Sequence, residues 1–331
     1  MPKYWMISDR NVEQDGLGPS LSRNADPLSF WISDDGQLDD FTSWLKVSED
    51  RFINLLLATA GAFPPLKQHE HEDQKHVTLF VHGYNENWKN AVGAYQNICN
   101  QLFAGDDGLG ACVLFTWPSD GMAVAYLPDR VDARRAAPDL ASVLSALYDR
   151  MLAAQTAAAA DPDKACRAKT SIIAHSMGNW LLQNAMQIAW TRKNQPLLIS
   201  LVNQLLMVAA DVDNDLFKGG EATNKSDGDA IANLTYRVTA LYTGRDSVLG
   251  LSAGLKHFGK RRLGRSGLDR TTTPPDNVWD VDCSSLIPAG ASDIHSAYFT
   301  EPQTIALMRR ILQGVDRNVL TAQTFATETE R

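Results

Sequence analysis

The feature that most restricts the fold is the segment Ser171–Trp190, "SIIAHSMGNWLLQNAMQIAW". An apolar β-type run ends abruptly at His175-Ser176, and an amphipathic helical pattern begins two residues later, with no loop between. A strand that feeds directly into a helix must have that helix folded back over the sheet, so its partner strands are parallel to it.

The surrounding chain repeats this arrangement. "HVTLFVHGY" reads as a strand ending at His82-Gly83, and "WKNAVGAYQNICNQLF" as a helix. "ACVLFTWPSDG" is the next buried-type strand, closed by Pro118 and Gly121, followed by an alanine-rich helical stretch from Asp132 to Ala160. "TSIIAHS" and its helix come next, and "QLLMVAADVD", "YRVTALYTGRD" and "NVWDVDCS" are three further strands. The alternation predicts an α/β fold with a mainly parallel central sheet and helices on both faces. Before it lie a first strand at Lys3–Ser8, a Gly/Ser/Asp-rich stretch to about Asp40 that reads as irregular, and a helical pattern from Asp39 to Ala60. The expected organisation is an N-terminal segment over 1–75 that could form a cap or lid, a main domain over 76–315, and a tail over 316–331.

Composition removes several function classes. With 44% apolar and 21% charged residues the chain is an ordinary globular protein. Its net charge of -8 disfavours nucleic acid, and the basic stretch Lys256–Arg270 reads as a solvated loop or an anion contact. No run approaches the roughly 18 apolar residues of a membrane span, and the N-terminus lacks a signal-peptide core, so a cytoplasmic location is expected. Four scattered cysteines suggest neither a zinc site nor a disulfide scaffold. The histidines of "QHEHEDQKH" are read as solvated loop, and "DVDND" lacks the glycine and glutamate of a calcium loop, so neither metal nor cofactor is expected.

The junction at Ser176 has the form of a nucleophile elbow: small residues, Ala174 and Gly178, stand two before and two after the serine. A serine at neutral pH needs a general base and an acid to orient it. The only histidines downstream are His257, in the basic stretch "GLKHFGKRR", and His295, in "ASDIHSAYF"; His295 is the expected base. Asp246, just past a strand in "LYTGRDSVLG", is the favoured acid, with Asp211 and Asp213 as rivals and Arg245 as a competitor for its charge. Backbone N–H groups of Met177 and Tyr84 would face the oxyanion, with His82 and Gly83 supporting the Tyr84 loop. Trp117 and Tyr126 are candidate pocket residues.

Taken together, "FVHGYN", "FTWPSDG" with Tyr126 and Asp129, "IIAHSMGN", "LYTGRDSVLGLS" and "DIHSAYF" resemble the α/β-hydrolase superfamily, and more narrowly a bacterial branch classed as a domain of unknown function, number 900. The likeness covers roughly Val77 to Phe299. It implies a serine-hydrolase mechanism through Ser176, Asp246 and His295 and no substrate; a small acyl ester is expected because esters are the easiest acyl bonds to cleave, with a lipid-like substrate as the alternative. A binding module that retains the fold without turnover is the competing class.

Overall fold

The structure is a computed structural model, which describes residues 2–320 except 23, 25, 66–73, 120–125, 162–166, 193–199, 219–226 and 257–258. Nine strands form one sheet in the order β11-β10-β9-β8-β6-β7-β1-β4-β5. Its parallel body comprises β1 (Tyr4–Ser8), β6 (His76–Val81), β7 (Gly110–Thr116), β8 (Lys169–His175), β9 (Val202–Val208), β10 (Thr235–Tyr242) and β11 (Val278–Asp282). β4 (Ser29–Ser33) and β5 (Leu45–Val47) extend it by antiparallel pairing.

Burial on both faces explains why the central strands read as unbroken apolar runs. On one face, α3 (Tyr126–Ala160) and α4 (Gly178–Arg192) cover Leu79, Val81, Val113, Ile172 and Ala174. Ala133, Ala136, Ala137, Leu140, Ala141 and Leu144 form one buried stripe of α3 at helical spacing, and the small side chains let α4 approach closely. Pro138 is tolerated because it faces outward. On the other face, α2 (Trp88–Ile98) and α8 (Pro302–Gln313) pack against Phe80, Cys112, Leu114, Ile173 and Leu206.

Three element readings change. The stretch read as irregular before Asp40 contains the hairpin β2 (Arg10–Glu13) and β3 (Gly16–Leu21), and then β4, whose core "FWI" is hidden in a Ser/Asp-rich context. The helix expected from Asp39 splits into β5 and α1 (Glu49–Gly61), because Ser48 caps the helix by accepting from Arg51 N–H at 3.3 Å. α3 starts six residues before its expected position, with Pro128 in its first turn, where a missing N–H costs nothing. α8 carried no sequence reading; Pro302 starts it and Gly314, at φ 84°, ends it.

The chain runs from β6 outward to β7 on one side and then crosses back to β8 on the other, while α2 and α4 leave these neighbouring strands on opposite faces. A sheet opens a crevice at the carboxyl ends of its strands where the order reverses in this way. The turns after β6 and β8 meet there, at His82–Glu86 and at Ser176.

Candidate active site

β8 ends at His175, and Ser176 takes a left-handed backbone, φ 51°, before α4 begins at Gly178. Such a conformation is unfavourable for a residue with a Cβ and persists only when its surroundings hold it. Here the Ser176 N–H donates to the Val208 carbonyl (3.0 Å), while its carbonyl accepts from Asn179 N–H and Asp211 N–H, each at 3.1 Å. The Asn179 side-chain amide ties the same turn to the Ala174 carbonyl at 2.8 Å. A Cβ on Gly178 would lie 2.4 Å from the His82 carbonyl oxygen, and one on Gly83 would lie 2.9 Å from the Ser176 Cβ. These two glycines therefore let the turns after β6 and β8 touch. Ala174 meets no such limit, since its methyl is buried in the α4-side core.

His295 arrives from the loop after β11 and Asp246 from the loop after β10. His295 Nδ1 lies 2.7 Å from Asp246 Oδ2, and its Nε2 lies 2.8 Å from Ser176 Oγ. The carboxylate partner fixes the proton on Nδ1 and leaves the Nε2 lone pair facing the hydroxyl. Asp246 is fully buried, and its second oxygen accepts Leu249 N–H at 2.9 Å, capping α6 (Ser247–Leu251). Helix cap and imidazole partner are thus one carboxylate. Arg245 does not compete for it: its guanidinium turns to the carbonyls of Ser284 and Ile287.

Burial alone would pull His295 below its ordinary value, but the hydrogen bond and charge of Asp246, with Asp293 and Asp211 nearby, hold it above. Asp293 contributes through space while its carboxylate accepts the backbone N–H groups of His295 and Ser296. Beneath the His295 ring lies His175, at 4.9 Å between centroids, with its Nε2 3.2 Å from the His295 carbonyl. Burial, with the neighbouring His295, drives His175 down to about 3, so it is neutral and donates from Nε2.

Across from Ser176, the loop after β6 is held by side chains from distant parts of the chain. His82 Nδ1–H donates to the Gly83 carbonyl (2.8 Å), its Nε2 accepts from Trp117 N–H (3.2 Å), and its ring stacks on that of Trp117. Arg10, buried at the start of β2, donates to the Glu86 carbonyl at 2.7 Å and to Thr116 Oγ1 at 2.9 Å. Ser119 Oγ accepts Glu86 N–H at 3.1 Å and donates to Asp129 Oδ2 at 2.5 Å; that carboxylate also lies 3.4 Å from Asn85 N. Tyr84 sits between these anchors and Gly83. The Met177 N–H, at the head of α4, has no hydrogen-bond partner among the described residues.

The rival acids have other partners. Asp211 accepts from Tyr126 Oη (2.7 Å) and Ser252 Oγ (2.9 Å) and pairs with Arg262 Nε (2.9 Å), and Asp213 pairs with Arg262 and Lys260. Trp117 is fully buried beneath the loop, and Tyr126 is 3% exposed, its ring edge-on to Tyr84 at 5.5 Å. His257, and His69 and His71 of the histidine-rich loop, lie outside the described residues, whereas His76 begins β6 and bonds Ser171 across the sheet. Among the described residues no cluster of His, Cys, Asp or Glu is arranged to hold a metal ion.

Sequence reasoning did not assign roles to Arg10, Ser119, Asp129, Glu86 or His175. For His175 a signal was present, since strand alternation turns it away from the face covered by Ile172 and Ala174. A lone Arg10 after a short strand carries none.

A stretch of an uncharacterized protein of Nostoc sp. is 26% identical over 137 residues, which is 35% of this chain and 32% of that protein; the match thus spans about a third of the relative. An esterase of Pyrobaculum calidifontis is 13% identical, with 73% of this chain and 77% of that one covered at a TM-score of 0.35. An acylaminoacyl peptidase of Pyrococcus horikoshii is 12% identical, covering 94% of this chain and 49% of that one at a TM-score of 0.32. No described helix is long and apolar enough to cross a membrane. Residues 64–312 match the family described as alpha/beta hydrolase of unknown function (DUF900), and the chain belongs to that family.

Proposed function

We propose that this protein is a serine hydrolase that cleaves a carboxylic ester, or a thioester or amide, through an acyl-serine intermediate. The observation that carries the reading is the continuous hydrogen-bonded line Ser176–His295–Asp246, built from three separate loops at one sheet edge. His295 takes the Ser176 proton as Oγ attacks the carbonyl carbon, and Asp246 stabilises the imidazolium that forms. The backbone N–H groups of Met177 and Tyr84 stabilise the oxyanion. His295 then gives its proton to the leaving group, and a water molecule, deprotonated by the same imidazole, releases the acid and restores Ser176.

Each part has a physical basis in the fold. The reading is supported by the left-handed backbone of Ser176 at the end of β8 and by the position of Met177 directly before α4. His175, neutral beneath His295, adds no charge that would oppose formation of the imidazolium.

The test is labelling with an alkyl fluorophosphonate, comparing the parent chain with Ser176→Ala and His295→Ala, alongside chromogenic esters of graded acyl length. Labelling confined to Ser176 and lost in both variants is the expected result. A parent chain that neither labels nor turns over any ester of the panel would overturn the reading in favour of a binding module.

A further inference from the structure

A half-buried cation beside the candidate site, Arg130, keeps a buried donor without a partner. Arg130, in the first turns of α3, lies over the indole of Trp180, its guanidinium carbon 3.8 Å from the ring centroid. Trp180 is one turn into α4, and its backbone N–H donates to the Met177 carbonyl at 2.9 Å, so the stack stands beside the turn that carries Ser176. Arg130 Nη1 is buried with no hydrogen-bond partner, and Trp180 Nε1 is in the same condition. Both groups can only donate.

Two buried donors left unsatisfied are destabilising unless something accepts from them, so they call for an explanation. The nearest acidic network cannot supply the acceptor. Asp211, whose charge is felt at Arg130, already receives Tyr126 Oη and Ser252 Oγ and pairs with Arg262. Arg130 shares a side-chain hydrogen bond with Tyr126, while its Nη1 stays without a partner. Burial accordingly holds the guanidinium below its ordinary value. A guanidinium stacked on an aromatic face keeps its in-plane donors free for a planar, anionic acceptor, an arrangement suited to a carboxylate.

We propose that Arg130 and Trp180 form a carboxylate-binding subsite, and that the substrate is an ester carrying a free carboxylate a few bonds from its scissile carbonyl, such as a monoester of a dicarboxylic acid. The proposal rests on the serine-hydrolase reading for the reaction but not for the binding. Tyr126 links the two places: its ring meets Tyr84 of the loop facing Ser176, and its hydroxyl holds Asp211, whose backbone N–H bonds the Ser176 carbonyl.

Two experiments on the full chain test it separately. In the first, p-nitrophenyl hemisuccinate and the neutral p-nitrophenyl butyrate are compared as substrates. Arg130→Gln is expected to lower kcat/KM for the anionic ester about 10- to 100-fold, mainly through KM, while leaving the neutral ester within about twofold. Arg130→Lys retains charge without the planar fork and should fall between. Equal loss on both esters would make Arg130 merely structural and overturn the proposal.

In the second, calorimetric titration of the Ser176→Ala protein uses monomethyl succinate and neutral dimethyl succinate as probes. The monoanion should bind, the diester should not, and Arg130→Gln should weaken the monoanion about tenfold or more. Trp180→Phe, which keeps a ring for stacking but removes Nε1–H, should weaken it several-fold and serves if Arg130→Gln does not fold. Absence of binding, or equal binding of both probes, would overturn the subsite. Binding of the monoanion by a chain whose Ser176 resists fluorophosphonate would leave the subsite standing and defeat the hydrolase reading instead.

Discussion

The two turns that meet at the sheet edge are built by opposite means. The turn after β8 is largely self-contained: Asn179 and Gly178 come from the helix that follows it, and neighbouring backbone at Val208 and Asp211 closes it. The loop after β6 has little of its own to hold it. Its shape depends on Arg10 from β2, Thr116 at the end of β7, Ser119 just beyond it, and Asp129 from α3. A reactive group can thus be presented by local geometry, whereas the groups facing it are placed by long-range hydrogen bonds. Damage to the second kind of turn should impair chemistry well before it impairs folding.

Four measurements sharpen this contrast. On the proposed mechanism Ser176→Ala should lower kcat about a million-fold while leaving Tm nearly unchanged, because the turn is held by backbone groups. Asp246→Asn should cost about ten-thousandfold in kcat, because the amide no longer enforces the Nδ1–H tautomer. It should also move the acidic limb of the pH profile. Neutral imidazole is the working form, so kcat/KM is full above the His295 pKa and falls as pH drops through it. In the parent His295 is held above the ordinary imidazole value; without the hydrogen bond and charge of Asp246, burial dominates and the midpoint moves down.

On the opposing loop, Asp129→Asn weakens the anchor at Ser119 and Asn85, and the expected loss is about 10- to 100-fold in kcat with KM little changed, since an oxyanion site acts in the transition state. Steady-state kinetics with one neutral ester would check it; a fall in Tm matching the fall in rate would erase the distinction between the turns. The smallest effect is expected for Glu86→Gln. Burial raises the Glu86 carboxyl to about 7, and its charge is felt at His295 and Asp293. Removing that negative charge should lower the acidic midpoint of kcat/KM by a fraction of a unit, read from a pH series on parent and variant.

The same contrast explains what could be read in advance. Strands β6 to β10 are largely apolar runs bounded by turn residues, and their positions follow from burial on both faces. β2 and β3 escaped because they are short and partly exposed, and β4, though buried throughout, because its brief apolar core lies in a Ser/Asp-rich context where local composition outweighs pattern. Asp246 could be preferred but not separated from Asp211 by position alone, because both follow a parallel strand at the same sheet edge. Only the packing of Arg262, Tyr126 and Ser252 around Asp211 distinguishes them.

The amino-acid order by itself determined the alternation of strand and helix, the abrupt turn at Ser176 and the small residues that permit it, because each arises from neighbours within a few positions. Tertiary structure decided which carboxylate meets His295, how the Tyr84 loop is anchored, and that Arg130 lies over Trp180 with its Nη1 unpartnered. Those outcomes join residues scores of positions apart, and their energies depend on burial and hydrogen-bond direction, quantities that exist only once the sheet has closed.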